Sequence, residues 1–175
     1  MNYTEIEGDL IALAKQGHFD VIAHGCNCFC RQKSGIAKQM VEAFGTDYFP
    51  MEKRVGEDDH WENTGYGDIN KLGNIDYEDW YDEKGTKKVT VVNCYTQYKI
   101  KKFNEKDYEY TTTENPLDYE ALDLCLRKLN HIFKGKHIGL PQIGAGKAGG
   151  DWEVIKSLIQ YNLKDCNVTV VIYKP

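Results

Sequence analysis

Two glycine-bearing segments constrain the fold of this 175-residue chain more than any other feature. The first runs Gly25-Cys26-Asn27-Cys28-Phe29-Cys30-Arg31-Gln32-Lys33-Ser34-Gly35-Ile36-Ala37. The second runs Pro141-Gln142-Ile143-Gly144-Ala145-Gly146-Lys147-Ala148-Gly149-Gly150-Asp151-Trp152. Each follows a short apolar run, residues 19–24 and 137–140, that reads as a buried strand. Each opens a stretch with helical spacing: Ile36, Ala37, Met40, Val41 and Phe44 after the first, and residues 152–163 after the second. A strand, a glycine loop and a helix N-terminus together make an anion-binding device. Small residues let backbone N–H groups approach the anion, and the helix dipole favours negative charge there. Two such units near opposite ends of one small domain suggest a ligand with two phosphates or a phosphate-rich linker.

The remaining elements fit around these two units. Residues 2–7 read as a short strand ended by Gly8-Asp9, and residues 10–15 as one or two helical turns. Gly45 is a suitable stop for the helix after the first loop. Residues 46–64 are polar and irregular, with a loop expected at Gly56-Glu57-Asp58-Asp59. Residues 66–80 hold strand-like pieces, Asp82-Glu83-Lys84-Gly85 is a turn signal, and the β-branched run 88–95 predicts a central strand, so the three form a hairpin. Residues 99–116, charged and tyrosine-rich, form a long excursion of the kind that often carries function. A helix follows Pro116, with Leu117, Leu122, Leu124, Cys125, Leu129 and Ile132 as its expected buried stripe, and residues 168–173 read as a last strand. Strands alternating with helices, plus a hairpin, predict a single α/β domain over residues 1–175 with a mostly parallel or mixed sheet and helices on both faces. Ligands in such sheets bind beyond the carboxyl ends of the strands, where both glycine loops emerge.

Composition narrows the function classes. The net charge of −5 argues against bulk electrostatic binding of nucleic acid, although acting on the end of a nucleic acid is compatible with it. No apolar run has the length of a membrane span, and the first residues lack the basic and apolar regions of a signal peptide, so a cytoplasmic location is expected. Among the six cysteines, Cys94, Cys125 and Cys166 sit in apolar surroundings and read as small core residues. Cys26, Cys28 and Cys30 alternate, which on an extended segment puts three thiols on one side, with His24 nearby as a further metal ligand. The spacing differs from that of common zinc motifs, so no metal and no cofactor are expected. Disulfides are not expected in a reducing compartment.

Neither glycine loop matches the better-known phosphate signatures: there is no Gly-x-x-x-x-Gly-Lys-Ser/Thr, and Gly144-Ala145-Gly146 does not complete a dinucleotide fingerprint after the first strand. In their order, however, four pieces of the chain resemble the macro domain family. They are Gly8-Asp9-Leu10, then Cys26-Asn27 with Ser34-Gly35-Ile36-Ala37, then residues 93–97, then residues 141–152. The likeness spans nearly the whole chain. It implies a three-layer α/β/α fold around a central mixed sheet, and binding of ADP-ribose. The segments around His24-Gly25-Cys26-Asn27 and Leu140-Pro141-Gln142-Ile143 look most like the branch that removes phosphate from ADP-ribose-1''-phosphate. A related glycohydrolase branch uses a lysine and an aspartate where this chain has Gln97 and Ala148. Lys33-Ser34 also replaces two glycines of the family's first loop.

The resemblance implies a binding set of Asp9, Leu10, Asn27, Lys33, Ser34, Gly35, Ile36, Ala37, Thr96, Gln97, Ile143, Gly144, Ala145, Gly146, Lys147, Ala148, Gly149, Gly150 and Trp152. Elementary chemistry offers four of its members two roles. Asp9 suits an adenine amino group or a helix N-cap. Asn27 suits ribose hydroxyls and a water, or the tying of its own loop. Lys33 suits a terminal phosphate or solvent, and Trp152 a pocket wall or the core. For phosphate removal, which rests on positioning and electrostatics, His24, Asn27 and Asp151 are the catalytic candidates. His24 is set against a hydrogen-bonded interior role and Asp151 against an N-cap. Cys28 as a nucleophile lacks a Cys-x5-Arg phosphate loop. The expected partners are ADP-ribose or its 1''-phosphate and ADP-ribosylated macromolecules, without a membrane. The alternative functions are removal of ADP-ribose from protein or nucleic acid, and non-catalytic reading of ADP-ribose.

Overall fold

A computed structural model describes residues 2–49, 67–102 and 107–174. The strands are β1 (Tyr3–Glu7), β2 (Val21–Asn27), β3 (Ile75–Tyr81), β4 (Lys87–Gln97), β5 (Ile100–Lys101), β6 (Thr111–Thr112), β7 (His137–Leu140) and β8 (Asn167–Ile172). The helices are α1 (Leu10–Lys15), α2 (Gly35–Phe44), α3 (Tyr119–Ile132) and α4 (Trp152–Asn162). The main sheet has six strands in the order β1-β8-β7-β2-β4-β3. All of its pairings are parallel except β3 with β4. The sheet is therefore mixed, with the hairpin strand β3 at one edge. The Asp82 carboxylate closes that hairpin by accepting from the Lys84 and Thr86 amides.

Alternation along the central strands makes three layers. On β2, Val21 and Ala23 face one cluster and Ile22 the other; on β4, Val92 and Cys94 oppose Val89 and Val91. The first cluster is completed by Leu122, Cys125, Leu126 and Leu129 of α3 and by Ile155 and Ile159 of α4. The second is completed by Leu10 and Ala14 of α1 and Met40 of α2. Strands buried on both faces read as continuous apolar runs, which is why residues 88–95 stand out in the sequence.

Three expectations are corrected. The α3 stripe includes Ala121 and Leu126, while Leu124 and Ile132 are exposed, because the packed stripe is narrower than the run of leucines. β2 ends at Asn27, so Cys28 and Cys30 lie in a turn, and Cys30 adopts the left-handed φ of 56°. The alternation therefore does not align the three thiols along a strand; they gather with Tyr95 in a small buried cluster. Finally, β3 is one uninterrupted strand preceded by a short 3-10 turn at Ile69–Lys71. The expected loop at Gly56-Glu57-Asp58-Asp59 lies outside the described residues. No helix among the described residues is long and apolar enough to cross a membrane.

Candidate functional site

The parallel strands β2, β4 and β7 end on one rim of the sheet, and a cleft of about 470 Å³ opens there. Its floor carries Gly25, Cys26 and Asn27 from β2 with Thr96 and Gln97 from β4. One wall is the first loop through Ala37, and the other runs from Pro141 to Ala148. Ile100, Lys101, Lys102, Tyr108, Tyr110 and Thr111, from the two described parts of the excursion, line its mouth. The short ribbon β5–β6 gives that mouth its shape. Tyr108 and Tyr110 stack at 5.1 Å between ring centroids, and the Arg31 guanidinium lies 4.5 Å from the Tyr110 ring centroid.

Helix caps separate the two loops chemically. The N-caps of α1, α3 and α4 are Asp9, Asp118 and Asp151, and each carboxylate accepts from an amide of its own first turn. Ser34, the N-cap of α2, makes no side-chain cap bond, and Ser34, Gly35, Ile36 and Ala37 all line the cleft. The first-turn amides of α2 thus lack a side-chain partner at their own cap, and the dipole favours an anion there. At α4 the Asp151 carboxylate already occupies the corresponding position at 3.0 Å from the Glu153 amide.

The sequence candidates are distributed as follows. Asn27, Lys33, Ser34, Gly35, Ile36, Ala37, Thr96, Gln97, Ile143, Gly144, Gly146, Lys147 and Ala148 line the cleft. Asp9, Leu10, Ala145, Gly149, Gly150, Asp151 and Trp152 are not among its lining residues. Asp9 caps α1 at 3.1 Å from the Ala12 amide, Leu10 is buried in the α1–α2 layer, and Trp152 packs on the α3–α4 core. Asn27 spends its side chain on its own loop: Oδ1 accepts from the Phe29 and Arg31 amides, and Nδ2 donates to the Arg31 carbonyl. Gly149 and Gly150 seat the chain entering α3. A Cβ on Gly149 would strike the Asn115 side chain, and one on Gly150 would strike Leu117 and lie 2.7 Å from the Gly144 carbonyl.

His24 is fully buried behind the floor, donates from Nε2 to Asn93 Oδ1 at 2.8 Å, and does not line the cleft. Burial pushes its pKa down to about 4, with the Asn93 bond opposing, so the ring is neutral near pH 7. The Cys26 thiol is pushed well up, and that of Cys28 up to about 12, chiefly by burial. Neither is a thiolate at neutral pH. No group of three or more His, Cys, Asp or Glu among the described residues is arranged to hold a metal.

Thr96 Oγ1 and Gln32 Nε2 are buried polar atoms of cleft residues with no hydrogen-bond partner among the described residues. Such atoms cost about 1–3 kcal/mol each until something bonds them. Gln32, Arg31, Tyr108 and Tyr110 were not singled out by residue type. The only sequence signals for them are their place inside the first loop and the unusual length of the excursion.

Among the described residues, five cations line the cleft, Arg31, Lys33, Lys101, Lys102 and Lys147, and no carboxylate or imidazole does. Lys101 bonds Asn115 Oδ1 and Lys102 pairs with Asp107, both at 2.7 Å, which ties the mouth together.

No family model matches the chain. It is 31% identical to an uncharacterised 17.5 kDa protein from the tk–vs intergenic region of Enterobacteria phage T4, over 97% of this chain and 96% of that one. A Bacteroides thetaiotaomicron protein of unknown function superposes with a TM-score of 0.67 at 24% identity, covering 98% of each chain. The macrodomain of Thermus aquaticus DarG superposes with a TM-score of 0.61 at 19% identity, over 99% of this chain and 98% of that one. Thermosipho africanus DarTG, solved with ADP-ribose, gives a TM-score of 0.67 at 14% identity, covering 100% of this chain and 42% of that one. The fold described above is the macrodomain fold.

Proposed function

Because this chain belongs to the family of the 17.5 kDa phage T4 protein and has the macrodomain fold, we propose that its cleft binds ADP-ribose and that the protein removes the terminal phosphate of ADP-ribose-1''-phosphate. The observation that carries the binding reading is the uncapped first turn of α2, opening on a cleft that, among the described residues, is lined by five cations and no carboxylate. Backbone amides of Gly35, Ile36 and Ala37 suit a diphosphate oxygen, and the small residues of the second loop, Gly144, Gly146 and Ala148, let the ligand backbone approach. Thermosipho DarTG binds ADP-ribose, which supports the same ligand class here.

For phosphate removal, the same cations stabilise charge on the transferring phosphoryl group, and catalysis rests on positioning more than on covalent chemistry. Asn27 fixes the loop that carries Arg31 and Lys33. In this reading His24 acts from behind the floor and Asp151 through the helix that it caps. One observation favours a second reading, in which the protein binds ADP-ribose without turnover: among the described residues no imidazole or carboxylate lines the cleft to activate a water. Removal of ADP-ribose from protein or nucleic acid uses the same pocket and is the third outcome of the test.

Calorimetry with ADP-ribose and a phosphate-release assay with ADP-ribose-1''-phosphate separate these readings. Micromolar binding with phosphate release is the expected result. Binding without release, and without liberation of ADP-ribose from modified protein or nucleic acid, establishes the reader. Absence of binding refutes the ligand assignment.

A further inference from the structure

A chain of hydrogen bonds runs from the centre of the sheet to the cleft through four buried residues. His24 donates from Nε2 to Asn93 Oδ1 at 2.8 Å. Asn93 donates from Nδ2 to the Thr46 carbonyl at 2.8 Å. The Thr46 hydroxyl donates to Gln32 Oε1 at 2.6 Å. His24, Asn93 and Thr46 are 0% exposed and Gln32 is 5% exposed. Asn93 and His24 set each other's polarity, and Asn93 also holds the backbone of Thr46, whose hydroxyl makes a separate bond to Gln32. Asn93 needs its amide nitrogen for a carbonyl, so its oxygen faces His24, and His24 carries its proton on Nε2. Gln32 accepts the Thr46 hydroxyl on its oxygen, and its amide nitrogen turns the other way. Gln32 lines the cleft, and its Nε2 is the end of the chain, buried and without a partner among the described residues.

We propose that Gln32 is a ligand-binding residue of this cleft, donating from Nε2 to a phosphate oxygen of the bound molecule. Thr46 is the positioning residue that holds the amide in its donor orientation, and Asn93 and His24 fix the place of Thr46 through its backbone carbonyl. The proposal rests on the reading that the cleft binds a phosphate-bearing ligand. A phosphate is the acceptor because Gln32 stands between Arg31 and Lys33 and just before the uncapped turn of α2. A neutral amide held by a buried neighbour adds direction to that cationic surround: it rewards an oxygen at one place, which the point charge of an ammonium does less sharply. The same arrangement explains a buried histidine next to the site that does not reach it.

The test combines the side-chain amide resonances of Gln32, followed by NMR, with calorimetry on Gln32→Glu, Thr46→Val and Thr46→Ser; ADP-ribose and inorganic pyrophosphate are the probes. Gln32→Glu keeps the size and the bond from Thr46 but replaces the donor with an anion. The expected result is a ligand-induced shift of the wild-type Gln32 amide, a loss of affinity of at least about tenfold in Gln32→Glu, and a smaller loss in Thr46→Val that Thr46→Ser restores. Wild-type binding with an unmoved Gln32 amide overturns the proposal, and so does a Gln32→Glu affinity within about twofold of wild type. Should Gln32→Glu fail to fold, the wild-type amide shift decides alone. A Gln32 shift with pyrophosphate but no binding of ADP-ribose upholds Gln32 and refutes the ADP-ribose reading; no binding of either probe refutes both.

Discussion

At His24 the interior of the sheet decides the chemistry. A histidine with a folded pKa of about 4 and an unfolded value near 6.5 binds its proton more readily when the chain unfolds. Its neutral, bonded state therefore costs nothing above pH 6.5, and the molecule loses stability as pH falls from 6.5 towards 4, by about 3 kcal/mol in total. Chemical denaturation at several pH values, with His24→Gln as reference, checks this: the wild type loses stability more steeply on acidification, and equal slopes refute it. Gly25 makes a second residue-scale prediction. A Cβ there would sit 2.8 Å from Thr96 Oγ1 and 3.4 Å from Ile143 Cγ1, so Gly25→Ala displaces a floor residue of the cleft. It should lower stability by about 1–3 kcal/mol in a denaturant titration and weaken ligand binding in calorimetry. Neither residue's environment is legible in the sequence. His24 reads there as a candidate base because its type suits the work, whereas its burial depends on strands far away along the chain.

The two glycine loops look alike as sequence and differ as elements. In the first, a serine that does not cap leaves the start of α2 to the cleft; in the second, Asp151 fills the start of α4 with its own carboxylate. The second loop's glycines also divide. Gly146 has no heavy atom within 4 Å of a Cβ built on it and lines the cleft, whereas Gly150 is pressed by Leu117 and Ile155. Gly146→Ala should leave stability within about 0.5 kcal/mol of wild type while weakening ADP-ribose. Gly150→Ala should cost about 1–3 kcal/mol or more. Thermal melts beside calorimetry separate the pair, and equal destabilisation would refute the division. Gly45, which closes α2 at φ 69°, is the part read correctly from sequence alone, because a left-handed C-cap is a local requirement. The roles of Gly149 and Gly150 were hidden because Asn115 and Leu117 reach them from some thirty residues earlier in the chain.

At the scale of the molecule, a chain of net charge −5 gathers five cations of the described residues around one cleft. Ligand affinity should therefore fall several-fold as salt is raised from roughly 50 to 500 mM, since screening shortens the reach of exposed lysines. Salt-independent affinity measured by calorimetry would put the binding energy in the backbone amides alone. Both helical layers pack on one sheet, so a single cooperative unfolding transition is expected, with coincident fluorescence and circular dichroism curves. The amino-acid sequence by itself determined the order of strands and helices, the hairpin, the two loops and their place at the carboxyl ends of the strands. Periodicity, β-branching and glycine are local signals that act within a few residues. Only the tertiary structure decided which of the loops' polar groups face the cleft, that His24 lies behind its floor, and that Lys101, Lys102, Tyr108 and Tyr110 line its mouth. Those outcomes follow from burial and from hydrogen-bond partners distant in sequence, and neither is set by any local stretch of the chain.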